Sequence, residues 1–129
     1  KRRWITCFVC FEMQFPNLED RLRFLKGSID QVEEQIRIRQ VRQAEFEDAL
    51  DTRSCEMGSS LYALDLEMPE GTTKRRLIYE QELGLIEKER RQLRITYGQD
   101  MFTLQKELRH LRGEYRTLMA GMACFKQKN

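Results

Sequence analysis

The residues best suited to chemistry are the cysteines. Cys7-Phe8-Val9-Cys10 forms a CxxC pair, a spacing that lets two thiolates meet one metal ion. A structural zinc site needs about four nitrogen or sulfur ligands. If the chain folds back on itself, Cys124 comes to the same end and supplies a third. His110, the single histidine, is 14 residues from Cys124, or about 20 Å along a helix. Cys55 is further away still. Cys7, Cys10 and Cys124 are therefore the metal candidates, short of a fourth ligand. The plainer expectation is that they are small apolar residues of an intracellular protein. A redox CxxC would call for a strand–helix context that the sequence lacks.

Other catalytic patterns are missing. With one histidine, Ser–His and Cys–His nucleophilic schemes have little to work with. Neither a GxxxxGK[ST] loop nor a GxGxxG turn is present to cradle phosphates. No catalytic residue, cofactor or small-molecule substrate is expected, and the chain does not read as an enzyme. Many acids sit four residues before bases, as in Glu19 with Arg23, Glu33 with Arg37 and Glu87 with Arg91. At that spacing they are expected to be solvated ion pairs on helix surfaces.

Composition points to elongated helices. Charged residues make up 34% of the chain and hydrophobic residues 40%, with two prolines and seven glycines among 129 residues. So much charge with so few breakers suits helices whose polar faces stay in water. The 23 basic residues nearly cancel the 21 acidic ones, leaving +2, and the two signs are mixed along the chain. That balance argues against disorder and against a nucleic-acid stripe. Two short clusters, Lys1-Arg2-Arg3 and Lys74-Arg75-Arg76, could touch an acidic surface such as a microtubule. No run approaches the ~20 apolar residues that span a bilayer. The stretch from Trp4 to Phe15 starts basic like a signal peptide, but Glu12 and Gln14 interrupt it and no small-residue cleavage site follows. The chain begins at Lys1 and is read as a piece of a longer polypeptide.

The apolar spacing gives the elements. Leu18, Leu22, Leu25, Ile29, Val32 and Ile36 are separated by alternating steps of four and three. This is a coiled-coil seam, because an average step of about 3.5 residues keeps one stripe facing a partner helix. The stripe turns polar at Arg39 and Gln43, is expected to resume at Phe46 and Leu50, passes Arg53, and reaches Met57, Leu61 and Leu64. A first long helix is predicted over 17–67, capped by Asn17. A turn follows over 68–73, where Pro69, Gly71 and the threonines suit a reversal. Gly58-Ser59-Ser60 could split or loosen the first helix. A second helix is predicted over 74–125, with a tail at 126–129. Its seam is Tyr79, Leu83, Ile86, Arg90, Leu93, Tyr97, Met101, Leu104, Leu108, Leu111, Tyr115, Leu118, Met122 and Phe125. Two steps of four between Leu93 and Met101 form a stutter, which locally unwinds a supercoil.

A reversal near residue 70 makes residue i face residue 140 − i. Ile36 then meets Leu104, Val32 meets Leu108, Ile29 meets Leu111, Leu25 meets Tyr115, Leu22 meets Leu118 and Leu18 meets Met122. The predicted fold is all-α, a long antiparallel two-helix coiled-coil hairpin, with each helix of ~50 residues about 75 Å long. Residues 1–16 are expected to form an apolar N-terminal segment, with Pro16 breaking or kinking the helix at its end. Trp4, Phe8, Phe11 and Phe15 continue the heptad spacing there and, with Phe125, are expected to form an outward partner interface.

The stretch LEDRLRFLKGSIDQVEEQIRIRQ (Leu18 to Gln40), with Cys55-Glu56-Met57 and the run from Thr73 to Ile78, resembles the stalk of kinesin-4 motors. The likeness is to the Costal-2-like branch, linked with Hedgehog signalling and motile cilia, and covers Leu18 to Leu93. It implies a microtubule-associated setting and a stalk that folds back to regulate a motor. Neither a motor domain nor a P-loop is present, and the PEGTT turn has no place in that pattern, so no catalytic residue carries over.

The functional expectation is a structural coiled-coil segment of a larger cytoskeletal protein, associated with microtubules or an axoneme. Its partners would be other proteins of that assembly, tubulin or other coiled coils, with no nucleic acid and no membrane. Its place would be the cytoplasm and cytoskeleton, including the axoneme of a cilium or flagellum. The alternatives are a regulatory or adaptor hairpin of a motor-protein stalk, a zinc-binding module through Cys7 and Cys10, and a parallel homodimer without the hairpin.

Overall fold

The computed structural model describes residues 17–67 and 73–128. Helix α1 spans Leu18–Glu67 and helix α2 spans Thr73–Lys128, 50 and 56 residues respectively. The protein is all-α, its two long helices packed against each other as a hairpin. The expected turn and the apolar segment 1–16 lie outside the described residues.

The ends of the helices follow from local chemistry. Asn17 caps α1: its Oδ1 accepts a hydrogen bond from the Glu19 amide at 3.1 Å, and its carbonyl accepts from the Asp20 and Arg21 amides. Two otherwise orphaned donors of the first turn are thereby satisfied by side chain and backbone of one residue. Glu19 and Asp20 add negative charge at the positive end of the helix dipole. At the other end, α2 continues to Lys128 instead of stopping at Phe125. The stretch read as a tail holds neither proline nor glycine, and lysines are favoured near a helix C-terminus. Gly58-Ser59-Ser60 does not split α1. Ser60 Oγ donates to the Glu56 carbonyl at 3.0 Å, satisfying the hydroxyl within the helix.

The chain divides into two compact units. One takes α1 up to Ile36 and α2 from Thr103 onward. Its inner stripe is apolar, and aliphatic but for Tyr115: Leu25, Val32 and Leu108 are buried, and Leu18, Leu22, Ile29, Ile36, Leu104, Leu111, Tyr115, Leu118 and Met122 are half-buried. Only 1% of Leu25 remains exposed, so its side chain contributes about 1.5–3 kcal/mol of hydrophobic stabilisation. Arg21 pairs with Glu114 at 3.1 Å and Arg112 with Glu33 at 2.8 Å, helix to helix, along the flanks of this stripe.

The other unit is Arg37–Phe102. Leu50, Ile86 and Met101 are buried there, with Gln43 among them at 7% exposure. Its α1 stripe differs from the expected one. Phe46 is exposed and Glu47 takes the inward place; Arg53 is likewise exposed, and Ser54 is half-buried in its stead. The inward positions run Arg39, Gln43, Glu47, Leu50, Ser54 and Met57, so the steps on either side of Gln43 are both four. This stutter answers the one at Leu93, Tyr97 and Met101 on α2. A stutter locally unwinds the supercoil, and with one on each helix the two seams drift together.

Candidate interaction surface

Where the stutters lie, the seam is a polar network within the unit Arg37–Phe102. Arg39 Nε donates to Asp100 Oδ2 at 3.0 Å, and its guanidinium carbon sits 5.3 Å from the centre of the Tyr97 ring. The same guanidinium reaches Gln43 Oε1 at 3.5 Å, and Gln43 Nε2 donates to Glu47 Oε1 at 3.3 Å. Glu47 in turn accepts from three donors on α2: Arg90 Nη1 at 3.0 Å, Arg94 Nε at 2.8 Å and Arg94 Nη2 at 3.2 Å. The Arg94 fork engages both carboxylate oxygens, the geometry that makes Arg–carboxylate pairs strong and directional. Arg90 also meets Asp51 at 2.7 Å and Glu87 at 3.4 Å.

The electrostatics follow from these contacts. The Arg94 hydrogen bond, aided by Arg90, holds the Glu47 carboxyl below the usual carboxylate range, while burial works in the opposite direction. The hydrogen bond to Asp51 raises Arg90, and that to Glu47 raises Arg94. Arg90 keeps 12% of its side chain exposed, so its charge is balanced almost wholly by protein carboxylates. Such a network is costly to break from one side, because the orphaned charge keeps its desolvation without its partner.

Cross-helix pairs recur along both units. Arg53 meets Glu89 at 3.2 Å, and Arg76 pairs with Asp65 close to the turn. Among the charges expected to pair four residues along one helix, Glu33 reaches Arg112 of α2, while Arg23 pairs with Asp20 and Glu87 with Arg90 three residues away on their own helices. Opposed helices offer a second row of partners, and sequence spacing alone sees only the first.

A second feature is exposed apolar surface. Tyr62 and Leu66 of α1 and Leu77 and Ile78 of α2, all within two turns of the reversal, are each more than half exposed. Phe102 and Leu85 are similarly open further along the same unit, and Phe24 lies open in the other. The Arg21 guanidinium stands 5.6 Å from the Phe24 ring centre and partly covers it.

The residues singled out for chemistry are not brought together. Trp4, Cys7, Phe8, Cys10, Phe11 and Phe15 lie outside the described residues, as do the side chains of Cys124 and Phe125. Cys55 is a free, exposed thiol. His110 is exposed and its Nε2 lies 2.8 Å from Glu114 on the next turn. Among the described residues no group of three or more His, Cys, Asp or Glu could hold a metal ion, and no helix is long and apolar enough to cross a membrane. Glu47, Asp51, Arg94 and Asp100 were missed by the stripe reading. The signal for them was the Leu93–Met101 stutter, which demanded a matching one on α1. No family profile, curated protein or solved structure matches the chain.

Proposed function

We propose that this hairpin is a structural, protein-binding segment of a cytoskeletal assembly associated with microtubules or an axoneme. The observation that carries the binding role is the set of large apolar side chains left open near the reversal, Tyr62, Leu66, Leu77 and Ile78. A two-helix hairpin has one stripe per helix to bury, and apolar side chains grouped outside it favour contact with another protein. The cytoskeletal setting rests on the resemblance of Leu18 to Leu93 to kinesin-4 stalks, and on the basic run Lys74-Arg75-Arg76 beside the apolar group. The same resemblance supports the second reading, a hairpin that folds against a motor or its stalk to regulate it.

Co-pelleting of the purified chain with polymerised tubulin tests the first reading. Binding that falls when Tyr62, Leu66 and Leu77 are together replaced by serine, with helicity unchanged by circular dichroism, supports it. Absence from the pellet together with saturable binding to a purified kinesin stalk favours the second. Binding to neither removes the cytoskeletal assignment and leaves a hairpin with partners of another kind.

A further inference from the structure

The aliphatic unit explains attraction but not choice. Leucine, isoleucine and valine stripes fit one another in many pairings, so Leu18–Ile36 could zip against a second copy of itself as readily as against Leu104–Met122. Something must reject those alternatives. In the unit Arg37–Phe102 the stripe carries Arg39, Gln43 and Glu47 on α1 and Arg90 on α2, with Arg94 and Asp100 beside it.

We infer that this layer is a pairing code that selects α1 against antiparallel α2 at one register and rejects the parallel, in-register pairing of like helices. Glu47 joins Arg90 and Arg94, Asp51 joins Arg90, and Arg39 joins Asp100, so each inward charge on one helix finds the opposite sign on the other. In a parallel pair of first helices, the same positions would set Arg39 against its own copy and Glu47 against its own copy. A parallel pair of second helices would oppose Arg90 to itself. Arg90 and Arg39 keep only 12% and 17% of their side chains exposed, so water could do little to screen such contacts. A register slip of one heptad along the hairpin would separate Glu47 from the Arg94 fork. The matched stutters reinforce the register alone, since a slip along the hairpin would move the two stutters out of opposition.

The experiment uses the full chain with Cys7, Cys10, Cys55 and Cys124 changed to serine. A single Met57→Cys reporter sits on the α1 stripe and forms an interchain disulfide only where two first helices lie side by side in parallel. In a glutathione redox buffer the chain with its native layer is expected to stay monomeric. Replacing the layer (Arg39→Leu, Gln43→Leu, Glu47→Leu and Arg90→Leu) is expected to raise the disulfide-linked dimer fraction by about tenfold, as removal of a repulsive element does. A leucine-layer chain that stays monomeric, and whose Met57→Cys and Leu83→Cys pair still closes within one molecule, overturns the inference. Charge exchange gives an independent reading. Glu47→Arg is expected to lower the melting temperature by several degrees, and adding Arg94→Glu, which leaves the Arg90–Asp51 pair in place, to recover part of that loss. A double variant that melts no higher than the single one also overturns it.

Discussion

The unit joining the first half of α1 to the second half of α2 and the unit nearer the reversal use one architecture in opposite ways. In the first, the stripe is aliphatic and the ion pairs Arg21–Glu114 and Glu33–Arg112 stand at its flanks. In the second, charged and amide side chains occupy the stripe itself, with Gln43 buried between Arg39 and Glu47. Aliphatic packing gains free energy from any apolar partner, whereas a buried polar layer gains it only from the complementary one. Strength and selectivity are thus separated along the same two helices.

The sharpest way to break that contrast is to cut into each core. Leu25→Ala in the aliphatic unit removes a fully buried side chain and should cost about 2–5 kcal/mol, as should Ile86→Ala in the polar one. Denaturant titration followed by circular dichroism checks this. A loss below 1 kcal/mol at Leu25 would mean that this unit contributes less than its burial implies.

Next in size is the effect of acid. The Glu47 carboxyl is held low in the folded chain, so its ionised form contributes stability that is complete above the ordinary carboxylate pKa. That contribution is lost as pH falls through the lowered folded value. Hydrogen exchange at pH 3 compared with pH 6, corrected for intrinsic rates, should show amides near residues 43–50 and 86–97 losing protection before those near 22–32. Equal loss in both units would remove the distinction. Gln43→Leu should act in the reverse sense at neutral pH, raising the unfolding free energy by roughly 1 kcal/mol and the midpoint with it, because its two hydrogen bonds at 3.5 and 3.3 Å are long. A fall in the midpoint would show those bonds to be worth more than apolar contact.

The smallest expected change is at Gly58, in mid-helix with open space where a Cβ would stand. Gly58→Ala should stabilise α1 by about 0.5–1 kcal/mol through lost unfolded-state entropy, read as a higher melting temperature. No gain would indicate that residues 56–60 contribute little to the cooperative unit.

Much of this fold is legible in the amino-acid sequence. The Leu18–Ile36 stripe is unambiguous because its steps never depart from four and three, and Asn17 before Glu19 and Asp20 is a recognisable helix start. The polar stretch was legible only in part. Phe46 looked like a seam residue because it is apolar and stands three residues after Gln43, yet it is exposed and Glu47 faces inward. Hydrophobicity is a poor guide where a stripe is built from arginine and glutamate.

The amino-acid order by itself determined that two long helices form and that each carries one apolar stripe, because helix propensity and heptad spacing act between residues close in sequence. Only the packed hairpin decided which charges face inward and whom they meet. The charged partners of Glu47 are 43 and 47 residues away along the chain, and that of Arg39, 61. A carboxylate becomes part of a core only when guanidinium groups from the opposite helix arrive to balance it, and that balance is a property of two surfaces in contact.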